Sequence, residues 1–209
     1  CLLSRGLGDV YKRQHRHLRI THSSMLYSDK TFMGMTTSGQ NAEDVLDMCA
    51  ILFGEEYLET HSVVTGNCNG NSPLVWDETM LSAMRAFNRR NQPVLCSPFV
   101  LGGANTPAST VPTVAQLNAE ALSALAYTQV IRPGCPAIYG HYLSTVSMQS
   151  GAPMAGTPEI SLMNFMIGQM ARHYAIPWRT SNTLGGAKIL DAQSLSLIHI
   201  SEPTRQEAI

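Results

Sequence analysis

PVLCSPFVLGGANTPASTVPTVAQLNAEALSALAYTQVIRPGCPAIYGHYL, residues 93–143, reads as strand, turn, helix and strand in succession. PVLCSPFV (93–100) is a short apolar run that ends in the glycine- and proline-rich turn GGANTPAST. Pro112 suits a first helical turn, where its missing N–H costs nothing, and an Ala-rich helix follows to about Ile131. PAIYGHYL (136–143) is then a second strand. A strand, a crossover helix and a strand of this length form a βα unit with a right-handed crossover.

The same unit repeats on both sides. FMGMTT (32–37) precedes an amphipathic helix in which Val45, Leu46, Met48, Cys49, Leu52 and Phe53 share a face. Asn41 is its expected N-cap, with Glu43 and Asp44 in the first turn. HSVVTGN (61–67) is a strand that leads through the polar loop CNGNSPL to a helix capped by Asp77 and ending near Arg90. Met80, Leu81, Met84 and Phe87 form its apolar face. After the loop SMQSGAPMAG, Thr157, Pro158 and Glu159 read as N-cap, N1 and N2 of a helix ending near Tyr174, followed by a fifth strand, AIPWRTS (175–181). Strand starts near 32, 61, 93, 136 and 175, with no glycine fingerprint for a dinucleotide, predict an α/β fold: a partial (β/α)8 TIM barrel of about five βα units. An open doubly wound sheet is the alternative.

Of the 209 residues, 44% are hydrophobic and 14% charged, with a net charge of −1. That balance excludes a disordered acidic or basic tail, a collagen-like chain and a disulfide-dense miniprotein. No apolar run reaches the roughly 20 residues of a membrane span, and no basic block suggests nucleic acid. Five cysteines without CxxC spacing read as reduced thiols, hence a cytoplasmic protein. The two ends stand apart. DVYKRQ (9–14) is the translation of the transposase end GATGTGTATAAGAGACAG, and LSLIHI (195–200) is the translation of its reverse complement. Residues 1–14 and 195–209 are therefore expected to be adapter-derived, and 15–194 to be the native fragment of a barrel. An open barrel of this kind is expected to be inactive alone.

In either architecture, function sits at the C-terminal ends of the strands. Those ends carry Asn67, Asn69 and Asn71; Gly102, Gly103 and Asn105; Tyr139 and His141; and Thr180, Ser181 and Asn182. The set is polar and largely uncharged, which suits orienting a ligand by hydrogen bonds. Asn and Gly are also ordinary turn residues. His141 reads as a base, a ligand or a structural histidine. Glu120, inside an apolar helix, either reaches a partner or faces solvent. Glu159 favours a helix N-terminus through the dipole. Cys68, Cys96, Cys135 and His141 offer zinc-type donors, but their spacing matches no standard site and Cys135 precedes its strand, so no metal is expected. Lys188 follows two glycines and reads as a loop residue rather than a Schiff-base lysine. There is no GxSxG, Walker loop or HExxH.

Four segments carry a resemblance: NCNGNSPLVWDETML (67–81), 97–140 with its GGA…QLNAE core (102–120), SMQSGAPMAGTPEISL (147–162) and GGAKILDAQS (185–194). Together they resemble the trimethylamine methyltransferase family of corrinoid-dependent methyltransferases, over essentially all of 30–194. The resemblance implies a (β/α)8 barrel that passes a methyl group from a small methylated amine to the cobalt of a corrinoid (cobalamin) carried by a separate protein, with no cofactor bound directly. A quaternary ammonium is usually held by aromatic faces, for which Tyr139, Tyr142 and Trp178 are candidates. The substrate-binding candidates are Asn69, Glu120, Tyr139, His141, Glu159 and Trp178; no catalytic residue is assigned. Some members carry pyrrolysine and act on trimethylamine, whereas others lack it and demethylate betaines; a betaine-type enzyme is expected here. A non-catalytic amine-binding barrel and a zinc-dependent methyltransferase are the alternatives, and homo-oligomerisation is left open.

Overall fold

The computed structural model describes residues 15–180, with Ile189 and Ala192. The two adapter-like ends, Ser181, Asn182 and Lys188 lie outside the described residues. The elements run α1 (Arg16–Tyr27), β1 (Phe32–Gly34), α2 (Gly39–Phe53), α3 (Glu55–Thr60), β2 (Val64–Gly70), α4 (Glu78–Arg89) and β3 (Val94–Gly102). They continue α5 (Thr110–Ile131), β4 (Ala137–Gly140), β5 (Tyr142–Val146), β6 (Pro153–Met154), α6 (Pro158–Tyr174) and β7 (Trp178–Arg179). The strands form a parallel sheet in the order β1-β2-β3-β4-β7. Each neighbour follows in sequence through a helix, as the βα reading requires, and the sheet does not close within the described residues. This is an arc of a (β/α) barrel.

β4 and β5 are one strand of that arc. Val94 stands opposite Ala137 and Phe99 opposite Tyr142, so the register passes through His141 unchanged. In that register His141 faces Pro98, which has no N–H to donate, and the ladder is interrupted there. β6 returns antiparallel on β5, with Thr145 opposite Met154. This short hairpin, α1 and α3 are elements that the sequence pattern did not separate from loops.

Local chemistry sets the helix ends. Ser38, not Asn41, caps α2: its hydroxyl accepts from the Asn41 N–H at 3.0 Å. Either residue type can cap, but the chain turns helical at Gly39, so Asn41 already lies inside the first turn. Asp77 caps α4 as expected, accepting from the Met80 N–H at 2.7 Å. Thr157 precedes α6 with Pro158 at its start, although its side chain makes no capping bond. β2 runs on to Gly70, so Cys68 and Asn69 lie in a strand rather than a loop.

The core lies between sheet and helices. Gly34 and Gly66 are registered neighbours on β1 and β2, and a Cβ on either would lie 2.9 Å from the Phe87 ring. The two glycines thus make the space that the ring fills. At the N-terminal end of the sheet, buried Gln92 accepts from Val63 N–H at 2.9 Å and donates to the carbonyls of Leu58 and His61 at 2.8 and 2.9 Å. One side chain so ties α3 and the start of β2 to the α4–β3 turn.

Candidate active site

Alternate residues of a strand face opposite sides of the sheet, and registered residues of parallel neighbours share a side. Four contacts identify one side as the helix side. A Cβ on Gly34 would meet Val45 of α2, one on Gly66 would meet Phe87 of α4, and one on Gly168 of α6 would meet the Trp178 ring. The Tyr139 hydroxyl donates to Asn118 Oδ1 of α5 at 2.9 Å. Cys68, Cys96, Tyr139 and Trp178 are registered across β2, β3, β4 and β7, so all four face the helices. The inner face of the arc is built by the residues between them: Asn67 and Asn69 on β2, Ser97 and Phe99 on β3, Tyr142 on β5 and Arg179 on β7.

This parity sorts the sequence candidates. Tyr139 is fully buried. Its hydroxyl continues through Asn118, whose Nδ2 donates to the Tyr174 hydroxyl at 3.0 Å. Burial, with Tyr174 beside it, raises its pKa, so the phenol stays protonated. Trp178 packs on Gly168 and is part of the core margin. His141 is fully buried and stacks on Trp178, with ring centroids 6.5 Å apart. Among the described residues neither of its ring nitrogens has a hydrogen-bond partner, and burial, then the Arg179 charge, lowers its pKa to about 4. Asn69 is the candidate that reaches the inner face, exposed and opposite Ser97.

Beside them stands an aromatic pair. Phe99 and Tyr142 are registered neighbours, stacked at 4.8 Å with a 5° interplanar angle. They remain 41% and 38% exposed, unlike the aromatic rings of the helix side. The chemistry of Tyr142 marks it in the sequence; Phe99 carries no such mark, because an apolar residue within an apolar strand looks like core. Registry against β4–β5 is the signal that separates it.

Glu120 lies on α5 and is 3% exposed. Its carboxylate accepts from the Ser72 hydroxyl at 2.5 Å, the Leu74 N–H at 2.9 Å and Gln116 Nε2 at 2.9 Å. It therefore grips the loop after β2 rather than the inner face. Glu159 stands exposed in the first turn of α6 and lines a cavity of about 390 Å³ with Gly102, Thr145, Met148 and Met154, at the C-terminal ends of β3 and β5. The thiols of Cys68 and Cys96 are buried, and burial pushes the Cys68 thiol up to about 12 and raises that of Cys96 further. Among the described residues no three His, Cys, Asp or Glu side chains converge as a metal site needs.

The sequence pattern described as "Trimethylamine methyltransferase (MTTB)" matches residues 9–198. The chain belongs to this family. It is 37% identical to the glycine betaine methyltransferase of Desulfitobacterium hafniense (strain Y51) over 180 residues, which are 86% of this chain and 38% of that protein. It is 29% identical to the proline betaine:corrinoid methyltransferase of Eubacterium limosum, over 74% of this chain and 33% of that protein. To the trimethylamine methyltransferase MttB of Methanosarcina thermophila it is 23% identical, over 89% of this chain and 39% of that protein. The chain thus spans less than two fifths of the length of these trimethylamine methyltransferase family relatives. It supplies an arc of the barrel, with the inner-face aromatic pair upon it.

Proposed function

We propose that the full-length protein transfers a methyl group from a methylated amine to the cobalt of a corrinoid held by a separate protein, in the cytoplasm, and that Phe99 and Tyr142 receive the amine. The stacked, half-exposed pair on the inner face carries this reading. A quaternary or protonated ammonium spreads its charge over methyl and methylene groups that cannot donate strong hydrogen bonds, and aromatic surface attracts such a cation best where water is excluded. Exposed Asn69 shares that face and can orient a polar group on the same molecule. The lower-valent cobalt supplies the electron pair for the new bond. The amine nitrogen keeps the pair of the broken C–N bond and leaves as a neutral, demethylated amine. What the chain does is bind, orient and exclude water. A betaine is the first substrate to try, because identity is higher to the glycine betaine enzyme than to the trimethylamine enzyme.

The test is methylation of a reduced corrinoid protein by the full-length enzyme, followed by the corrinoid absorbance, with glycine betaine and trimethylamine offered separately. Phe99→Ala and Tyr142→Ala are each expected to raise the amine KM by about 30-fold, the equivalent of a desolvated cation–π contact of about 2 kcal/mol. An unchanged KM in both variants refutes the placement. Amine binding without any methyl transfer supports a non-catalytic binding barrel instead.

A further inference from the structure

We infer that Glu120 is a positioning residue for the amine site: through Gln116 and Asn105 it locks the two rim loops after β2 and β3 to each other and to the backbone of Phe99. This rests on the placement of the amine at Phe99 and Tyr142. The loop after β2, 71–77, is irregular, yet a buried carboxylate holds it. Glu120 Oε2 takes the Ser72 hydroxyl and Oε1 takes the Leu74 N–H, while its backbone carbonyl accepts from Trp76 Nε1 at 3.3 Å. Leu74 sits at φ 58°, a left-handed conformation that a branched side chain adopts at a cost. A charge-assisted bond to its N–H offsets that cost.

The same carboxylate reaches the second loop. Gln116 Nε2 donates at once to Glu120 Oε1 at 2.9 Å and to the Asn105 carbonyl at 3.1 Å. Asn105 then closes the circuit: its Oδ1 accepts from the Leu101 N–H at 2.7 Å, and its Nδ2 donates to the Phe99 carbonyl at 2.9 Å and to the Ser72 carbonyl at 3.5 Å. Two links join the loops: the Gln116 bridge from Glu120 to the Asn105 carbonyl, and the Asn105 Nδ2 bond to the Ser72 carbonyl. Glu120 itself touches no part of the inner face, so it acts through others. A buried carboxylate with three donors converging on it has no role in proton transfer to a ligand it cannot reach. Its geometry is that of a fastener.

The full-length enzyme tests this with Glu120→Gln and Gln116→Leu. Glutamine keeps the shape but turns an N–H₂ toward donors, and leucine severs Glu120 from Asn105 without stranding Ser72 or Leu74. Both are expected to raise the amine KM by about tenfold, one charge-assisted hydrogen bond's worth of positioning, and to leave the KM for the corrinoid protein unchanged. Combining Ser72→Ala with Glu120→Gln is expected to add nothing further. A folded variant with unaltered amine KM overturns the inference, as does an equal rise in both KM values, the mark of general loosening. If Glu120→Gln does not fold, Gln116→Leu alone decides on the same criteria. If the unaltered enzyme transfers no methyl group, the proposed function fails separately. Amide exchange at Leu74 and Leu101 then decides on the fastener: faster exchange in Gln116→Leu upholds it, and unchanged exchange overturns it.

Discussion

Replacing His141 with leucine is expected to remove a large part of the acid sensitivity of the fold. The imidazole is fully buried, stacked on Trp178, and has no partner for either nitrogen among the described residues. Burial, together with the charge of Arg179, lowers its pKa to about 4, against about 6.5 in an unfolded chain. The sign follows directly. Between these two values the unfolded chain binds a proton that the folded chain refuses, so stability falls as the pH drops from about 6.5 towards 4. At pH 5 the difference is worth roughly 2 kcal/mol, and at pH 7.5 almost nothing. Leucine has similar bulk and no proton to gain. Urea unfolding of the full-length protein at pH 7.5 and pH 5 measures both. Relative to the unaltered protein, the leucine variant is expected to gain roughly 2 kcal/mol on going to pH 5. All other titratable groups cancel in that comparison because both proteins carry them. A relative gain below about 0.5 kcal/mol would refute the reasoning, since it would mean that the buried ring already binds its proton in the fold.

Two further predictions follow from the core. Gly66→Ala places a methyl group 2.9 to 3.1 Å from three atoms of the Phe87 ring and is expected to cost about 1–3 kcal/mol, read as a lower urea midpoint; an unchanged midpoint means the ring is not held there. Cys49 and Cys68, whose thiols burial pushes up to about 12, are expected to resist iodoacetamide at pH 8 until the fold opens; peptide mapping that finds either alkylated in the native protein contradicts their placement.

The order of elements was legible because each βα unit announces itself twice, by an apolar run and by a turn or cap. Asp77 before α4 and Thr157-Pro158 before α6 are such signals. α1 was not legible: RHLRITHSSMLY has no strong apolar face, and only His17 and Thr21 are buried in it. Its attachment is a tertiary contact, the His17 Nε2 to Asp44 Oδ2 bond of 2.8 Å, between residues 27 apart in sequence. The interruption at His141 depended on Pro98 of the neighbouring strand, which no reading of PAIYGHYL alone contains.

The site was harder for a reason intrinsic to parallel sheets. A strand covered on both faces has no polar alternation from which its orientation can be read, so Tyr139, Tyr142 and Trp178 carry equal weight as aromatic residues near strand ends. Registry breaks the tie. Tyr139 and Trp178 are opposite one another and share the helix side. Tyr142 lies three residues along from Tyr139, an odd step that turns it to the inner face, where it meets Phe99. A single residue of slip would exchange these roles. The chain blocks that slip with residues that tolerate no exchange. Gly66 must lie under the Phe87 ring, Tyr139 must reach Asn118, and Gly168 must leave room for Trp178. The packing of the helix side is therefore what determines which aromatic rings stand on the inner face of the arc.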